Sequence, residues 1–221
     1  MIIAVSMRVV SNISYPEMRD AISHDWVKAL DALCVTPVFV PNALRDPASY
    51  LEATGAHGLI LTGGDDLGLL PDESGGEAPP NARDGTEYAL LSRALENSLP
   101  VFGVCRGLQV INAFFGGGLV RDLSDTSNHV NVTHQVEILD SHWLVNMEAQ
   151  RVVTNSYHSQ GVCLSGLAPD LKAFAVAAGG VVEGLFHPTR PILAVQWHPE
   201  RQNPALGLDQ KLLRQWLSKC A

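Results

Sequence analysis

Cys105 lies between a short apolar run and a segment with helical periodicity, and a thiol in that position can act as a nucleophile. Residues 101–104 (VFGV) are typical of a buried strand, and apolar residues recur at helical spacing over residues 108–115. The order strand, turn, helix would direct a helix N-terminus at the sulfur and favour the thiolate. Gly103 and Gly107 indicate a backbone that turns tightly there. A cysteine that only fills space at a strand end is the alternative.

The stretch AVQWHPE, residues 194–200, carries a second group of candidate side chains. His198 follows a predicted strand and precedes a rigid proline, so that Glu200 can return to accept a hydrogen bond from its second ring nitrogen. A base and a residue that orients the base are what a nucleophilic thiol requires. A lone histidine is more often structural, and this alternative stays open for His198.

Two further residues stand where predicted strands end. The apolar stretch HGLILTGG (57–64) ends in Gly63-Gly64, and a glycine there can turn its backbone N–H towards a ligand, although an ordinary tight turn is the alternative. Arg8 follows the first apolar stretch, IIAVSM, at the edge where open α/β sheets bind ligands. It could bind a carboxylate or phosphate, or lie solvated in a loop that runs to Tyr15.

The elements that must position these residues alternate between strands and helices up to about residue 119. We predict strands at 2–7, 37–41, 57–64 and 101–104, helices at 15–33, 48–54, 84–97 and after Cys105, and a long loop at 65–83. Residues 122–131 are polar and predicted to be irregular. From 133 onward, short alternating stretches predict an antiparallel or mixed extension of the sheet, followed by an amphipathic helix at 206–217.

Composition limits the classes of protein that the chain can represent. With 221 residues, 46% of them hydrophobic and 17% charged, it is long enough for one core, and we expect a single domain over 1–221. A net charge of -8 without a cluster of Lys or Arg argues against nucleic-acid and anionic-membrane partners. The N-terminus resembles neither a signal peptide nor a membrane span, so we expect a cytoplasmic protein. Its four cysteines lack paired spacing, which predicts reduced thiols and no zinc site.

Three stretches taken together resemble a known family. LTGG, GVCRGLQ and QWHPE are similar, in order and spacing, to the oxyanion strand, nucleophile elbow and His-Glu pair of class I glutamine amidotransferases. The resemblance implies a three-layer α/β, flavodoxin-like fold, in which helices flank a central, mostly parallel sheet with a small antiparallel extension. It implies Cys105 as nucleophile, His198 as general base and acid, and Glu200 as the orienting carboxylate. The backbone N–H groups of Gly64 and Arg106 would form the oxyanion hole, so that Arg106 contributes its amide and not necessarily its charge.

The same resemblance assigns residues to the substrate. Gln109, from the family's CxGxQ pattern, and the segment formed by Tyr157, His158, Ser159 and Gln160 would hold the α-amino and α-carboxylate groups of a γ-glutamyl moiety. The long loop at 65–83 and the loop that carries Arg8 would shape the pocket for the leaving group. A solvent-facing helix residue is the alternative for Gln109.

Within that superfamily the chain is similar to the γ-glutamyl-γ-aminobutyrate hydrolase group, peptidase C26. TGGDDL, CRG, GLQVINAFFGGGLVRDL, NSYHSQGV and QWHPE carry this resemblance. It implies hydrolysis of a small-molecule γ-glutamyl amide through a thioester, with no metal, organic cofactor or synthetase partner. The group usually has a second histidine at the position that Ser159 occupies in this chain. It often has an acidic residue before the glycine of its DGxxE pattern, and residues 179–183 (GGVVE) lack that acidic residue. These departures leave γ-aminobutyrate unassured as the leaving group. RDAISHDW (19–26) and the compact length resemble the branch that hydrolyses γ-glutamyl-CDP-amidate.

Two other functions stay open on the sequence alone. A glutaminase that supplies ammonia to a synthetase would share the same residues, and a catalytically silent binding module could share the same fold. The sequence also leaves open the leaving amine and the oligomeric state, a homodimer included.

Overall fold

The computed structural model describes residues 1–68, 82–123, 129–139, 143 and 151–221. Its elements, in chain order, are β1 (Ile2–Ser6), β2 (Arg8–Ser11), β3 (Met18–Ala21), α1 (His24–Ala32), β4 (Thr36–Val40), α2 (Pro47–Ala53), β5 (Gly58–Leu61), α3 (Ala82–Glu96), β6 (Val101–Val104), α4 (Arg106–Phe114), β7 (Val130–Ile138), β8 (Arg151–Tyr157), β9 (Lys172–Ala177), β10 (Val182–Phe186), β11 (Ile192–Val195) and α5 (Leu206–Leu217).

Nine of the strands form one sheet in the order β4-β1-β5-β6-β11-β10-β9-β7-β8. The pairs from β4 to β11 are parallel, and those from β11 through β8 are antiparallel. β11 therefore belongs to both halves, because it pairs in parallel with β6 and antiparallel with β10. This arrangement confirms the predicted α/β fold, with an antiparallel extension of four strands.

Helices cover both faces of the sheet and make it the middle of three layers. On one face, α1 and α5 pack Trp26, Leu30 and Trp216 into a core that includes Phe102 of β6. On the other face, α2, α3 and α4 bury a second core against the alternate side chains of the same strands. The central strands are buried on both faces and therefore have no polar alternation, which explains the apolar runs of β1, β5, β6 and β11.

The predicted helix at 15–33 is wrong over its first half. Residues Met18–Ala21 form β3, which pairs antiparallel with β2, and only His24–Ala32 is helical. The Asp20 carboxylate accepts hydrogen bonds from the backbone and side chain of Asn42, which fixes this hairpin against the sheet edge. Ser23 caps α1 by accepting a hydrogen bond from the Asp25 amide. Arg8 accordingly begins a hairpin strand instead of lying in a loop.

Two other boundaries differ from the predictions, and part of one prediction is not described. α3 begins at Ala82, so the last two residues of the predicted loop at 65–83 are helical, while residues 69–81 lie outside the described residues. β7 begins at Val130, inside the segment predicted to be irregular. Among the helices that the structure describes, none is both long enough and apolar enough to cross a bilayer.

Candidate active site

Cys105 occupies the sharp turn between β6 and α4. Its backbone angles, φ 52° and ψ -103°, lie in a region that residues other than glycine rarely adopt, and its N–H donates to the Val195 carbonyl at 2.8 Å. The strain lies on the cysteine, whereas the two flanking glycines serve close packing. A Cβ on Gly103 would lie 2.8 Å from the Gly107 backbone, and one on Gly107 would lie 2.2 Å from the Leu61 carbonyl oxygen. These glycines let α4 approach the sheet and direct its N-terminus at the thiol.

His198 and Glu200 form a buried pair beside this turn. The Nδ1 atom of His198 lies 2.7 Å from Oε1 of Glu200, and both side chains are 2% exposed. A Cβ on Gly63 would lie 2.7 Å from Cε1 of His198 and 3.4 Å from Cβ of Cys105, so the imidazole and the cysteine pack against the same glycine. Burial by itself would lower the pKa of His198, but the Glu200 carboxylate and the hydrogen-bonded Cys105 sulfur raise that pKa to about 9.

Asn155 fixes the backbone that carries the imidazole. Its Oδ1 accepts from the His198 N–H at 2.8 Å, and its Nδ2 donates to the His198 carbonyl at 2.9 Å. Asn203 in turn accepts from the Asn155 N–H at 3.0 Å. The orientation of the His198 imidazole therefore depends on β8 as well as on the loop after β11.

A third polar side chain reaches the sulfur. The Nε2 atom of Gln196 donates to Sγ of Cys105 at 3.5 Å, within the longer reach of a hydrogen bond to sulfur. The ring of Tyr157 meets the His198 ring edge-on, with centroids 5.6 Å apart, and Arg201 lies 4.5 Å above the same tyrosine. The imidazole is thus confined on one side by an aromatic ring and on another by the glycine backbone.

Gly64 lies at the other side of the thiol, in a conformation that excludes a side chain. Its φ is +145°, and a Cβ there would lie 2.3 Å from Nη1 of Arg83. The Arg83 guanidinium donates to the carbonyls of Thr62 and Gly63, at 2.8 and 3.1 Å. Arg83 therefore fixes the two carbonyls that precede Gly64.

The side chain of Arg106 is directed away from the thiol, into a buried ionic cluster. Its guanidinium forms ion pairs with Asp84 and Glu87 of α3, and Glu87 also pairs with Arg83 at 3.0 Å. Burial lowers the pKa of Arg106 to about 9; the Arg83 charge adds to this fall and the Asp84 charge opposes it. The Arg106 amide stands in the first turn of α4, where N–H groups have no acceptor within the helix. This position allows the amide to contribute to an oxyanion hole while the charge stays in the core.

A small pocket of about 60 Å³ opens beside Cys105 and gathers most of the predicted ligand-binding residues. Nε2 of Gln109 donates to the Gln160 carbonyl at 3.0 Å, which joins α4 to the segment after β8. Arg8 lies next to Gly64, with its Cβ 3.4 Å from the position of a Cβ there, but it is not among the described residues that line this pocket. The lining residues are Gly64, Asp65, Asp66, Cys105, Arg106, Gln109, Tyr157, His158, Ser159 and Gln160.

Sequence reasoning missed three residues that shape the site: Arg83, Asn155 and Gln196. Arg83 stands at the junction of a predicted loop and helix, and nothing local marks it as a partner of the glycine loop. Gln196 and Asn155 lie inside stretches that were selected for their histidines. An amide two residues before the candidate base His198 is the signal that could have identified Gln196, because a buried amide needs partners. No local signal links Asn155 to His198, which lies 43 residues further along the chain.

One group of described side chains outside this pocket could hold a metal ion. His129, His134 and Glu183 offer ligand atoms that lie within 4.8 Å of one another. His134 lies on β7 and Glu183 on β10 of the antiparallel extension, and His129 directly precedes β7. None of the three lines the pocket beside Cys105.

Comparison with known proteins gives a consistent result. The Peptidase C26 family model matches residues 1–200. The γ-glutamyl-CDP-amidate hydrolase of Campylobacter jejuni is 27% identical over 224 residues, which cover 99% of this chain and 98% of that protein. The γ-glutamyl-γ-aminobutyrate hydrolase PuuD of Escherichia coli is 27% identical over 205 residues, covering 83% of this chain and 80% of that protein.

Solved structures agree at the level of the fold. A glutamine amidotransferase from Thermotoga maritima superposes with a TM-score of 0.67 at 13% identity, covering 99% of this chain and 97% of that one. At this identity the likeness concerns the architecture of the sheet and helices only.

Proposed function

The chain belongs to the peptidase C26 family, and we propose that it hydrolyses the γ-glutamyl amide bond of a small molecule, with Cys105 as nucleophile. The observation that carries this proposal is the strained turn at Cys105, which presents the thiol to the buried His198–Glu200 pair. A thiol, a base and an orienting carboxylate in this order are sufficient for acyl transfer.

The reaction proceeds by two acyl transfers. The Cys105 thiolate attacks the γ-carbonyl carbon, and the C–N bond breaks as the His198 imidazolium gives its proton to the departing nitrogen. A γ-glutamyl thioester and the free amine result. His198 then takes a proton from water, whose oxygen attacks the thioester, and the C–S bond breaks to release glutamate and the thiolate. The high pKa of His198 supports this role, because the protonated ring needed in the first step is present at neutral pH.

The negative charge on the γ-oxygen in each tetrahedral intermediate is stabilised by the amides of Gly64 and Arg106. One donor of this kind contributes on the order of 3 kcal/mol to transition-state stabilisation. The Arg83 contacts to the Thr62 and Gly63 carbonyls support this assignment, since they fix the loop that carries the first amide.

The pocket lining divides the substrate into two halves. Gln109 and the 157–160 segment bind the glutamyl half, because they line the pocket beside the thiol and are joined by the bond from Gln109 to the Gln160 carbonyl. The leaving group extends past Gly64 towards Arg8, whose cationic side chain favours a substrate with a phosphate or carboxylate on that side.

We propose a γ-glutamyl nucleotide amidate, in the manner of γ-glutamyl-CDP-amidate, as the preferred substrate over γ-glutamyl-γ-aminobutyrate. The nearly end-to-end match to the Campylobacter jejuni hydrolase supports this choice, as does the position of Arg8. A cytoplasmic location fits the same proposal, because the four cysteines are free and a reducing compartment keeps a catalytic thiol active.

The test is glutamate release by the purified protein from three substrates: glutamine, γ-glutamyl-γ-aminobutyrate and γ-glutamyl-CDP-amidate. We expect the nucleotide amidate to have the highest kcat/KM and Cys105→Ala to release none. Highest activity on glutamine, or activity that depends on an added synthetase, would identify a glutaminase instead. Labelling of Cys105 by a glutamine-analogue electrophile, lost in His198→Ala, separates a working site from a silent binding module.

A further inference from the structure

Three histidines surround one carboxylate in the antiparallel extension. Glu183, on β10, is fully buried, and its Oε1 lies 3.8 Å from Nδ1 of His129, 3.5 Å from Nε2 of His134 and 3.4 Å from Nε2 of His158. All three separations exceed the usual length of an N–H···O hydrogen bond. Neither carboxylate oxygen of Glu183 receives a hydrogen bond from the described residues.

A hydrogen bond to a backbone carbonyl fixes the tautomer of His158. Its Nδ1 lies 2.9 Å from the backbone carbonyl oxygen of Gln160, which can only accept, so Nδ1 carries a proton. In the neutral ring Nε2 then has a lone pair and no hydrogen, and that lone pair faces the Glu183 oxygen. Two facing lone pairs repel inside a buried site, and a cation bound to the Glu183 carboxylate would reduce this repulsion by neutralising the carboxylate charge.

The separations agree with those between ligands of one tetrahedral ion. Zn²⁺ binds imidazole nitrogen and carboxylate oxygen at about 2.0–2.2 Å, which places neighbouring ligand atoms roughly 3.3–3.6 Å apart. The distances from Glu183 to His134 and His129, 3.5 and 3.8 Å, fall at or near that range, and the ligand atoms of these three residues all lie within 4.8 Å of one another. Nitrogen and oxygen ligands without a thiolate suit a divalent first-row transition ion.

Hydrogen bonds to the His129 carbonyl fix the backbone around the proposed ligands. The His158 N–H donates to the His129 carbonyl at 2.9 Å, and the Ser156 hydroxyl donates to the same carbonyl at 2.6 Å. A cavity of about 630 Å³ is lined by His129 and His134, so an ion can enter from that side. Cys163 lines the same cavity and is the competing ligand that a test must separate.

We propose that His129, His134 and Glu183 bind one divalent transition-metal ion of the Zn²⁺ class, with water as a fourth ligand, in a structural site separate from the thiol pocket. The ion would fix the Glu183 carboxylate that faces His158 and, through the Nδ1 of His158, the Gln160 carbonyl that also accepts from Gln109. It would therefore position the wall of the thiol pocket without touching the reacting atoms. The expectation from the cysteine pattern that there is no zinc site does not cover this cluster, whose ligands are histidines and a glutamate.

The test is titration of the full chain with Co²⁺ after removal of metal by a chelator, followed by absorption spectroscopy and competition with Zn²⁺. We expect one equivalent to bind, with the visible bands of four-coordinate Co²⁺ and no thiolate-to-metal charge-transfer band in the near ultraviolet. His134→Gln should weaken binding by about 100-fold or more. His24→Gln, at an exposed histidine at the start of α1, is the matched control and should bind as the wild type does.

Three results would overturn the proposal. Equal Co²⁺ binding by the wild type and His134→Gln would place the ion elsewhere, and no binding by the folded wild type would make the cluster a protonated histidine–carboxylate network. A thiolate charge-transfer band would assign the ion to Cys163 or Cys105. If His134→Gln fails to fold, the wild-type spectrum still shows whether the ion binds and whether a thiolate is one of its ligands. Glu183→Gln then provides a second variant to test whether binding depends on this cluster.

Discussion

Replacing Glu200 by Gln tests how the charge on His198 is maintained. The substitution keeps the size of the side chain and an oxygen that can accept from Nδ1 of His198 across the 2.7 Å contact, but it removes the negative charge. The imidazolium then loses the carboxylate, the largest of the influences that raise its pKa. We expect the pKa of His198 to fall while the ring stays in place.

The expected size follows from the burial of the pair. The change from the ordinary value of 6.5 to about 9 corresponds, at about 1.36 kcal/mol for each pKa unit, to about 3 kcal/mol in favour of the protonated ring. That net value already includes the opposing effect of burial, so loss of the carboxylate removes a large part of it. The pKa of His198 in Glu200→Gln should therefore fall by about one unit or more.

The assay is the pH dependence of kcat/KM for glutamate release, combined with NMR titration of the histidine ring. Because the leaving nitrogen takes its proton from the imidazolium, wild-type activity should fall as the pH rises through about 9. In Glu200→Gln this alkaline limb should begin at lower pH, and activity at neutral pH should fall as well. Glu96→Gln, at an exposed glutamate near the end of α3, should leave the profile unchanged.

Two outcomes would refute this reasoning. If the wild-type ring titrates at its ordinary value of 6.5, the buried carboxylate does not control the charge of His198. If the alkaline limb of Glu200→Gln coincides with that of the wild type while its NMR pKa falls, His198 is not the acid for the leaving nitrogen.

Further predictions concern the residues around the site. Gly64→Ala places a Cβ 2.3 Å from Nη1 of Arg83 and should lower kcat/KM by on the order of 100-fold. The control is Gly85→Ala, which should leave kcat/KM unchanged because a Cβ there meets no atom within 4 Å. Arg83→Met breaks a buried ion pair with Glu87 and should lower the free energy of unfolding in urea by about 3–5 kcal/mol; a loss below about 1 kcal/mol would contradict the importance of that pair. Burial raises the pKa of Asp209 from 3.8 to about 6, so the folded state binds the proton more tightly and the unfolding free energy should fall by about 3 kcal/mol as the pH rises across that interval. Asp209→Asn should remove this dependence, and an unchanged slope would show that another group causes it.

The sequence predicts those elements whose signal is local. The apolar run 101–104, the turn at Cys105 and the periodicity after it lie within one stretch, and the predicted helix at 206–217 coincides with α5. The first half of the helix predicted at 15–33 was wrong because β3 is fixed by pairing with β2 and by Asn42, contacts that spacing cannot reveal, whereas His24–Ala32 is helical as predicted. The roles given to Cys105, His198 and Glu200, and the assignment of residues 1–221 to one domain, stay predictions.

The contribution of long-range contacts also explains how the site keeps its geometry. Arg83 and Asn155 bind backbone atoms instead of the pocket: the first holds the carbonyls before Gly64, and the second holds both backbone groups of His198. The loop that carries Gly64 and the backbone of His198 are therefore fixed from α3 and β8, elements that do not carry the thiol. Because neither residue lines the pocket beside Cys105, substitutions that alter the leaving-group side of that pocket can change the substrate while leaving the positions of the reacting groups intact. Under the proposed function, specificity can accordingly vary at Asp65, Asp66 and Arg8 independently of the chemistry proposed at Cys105.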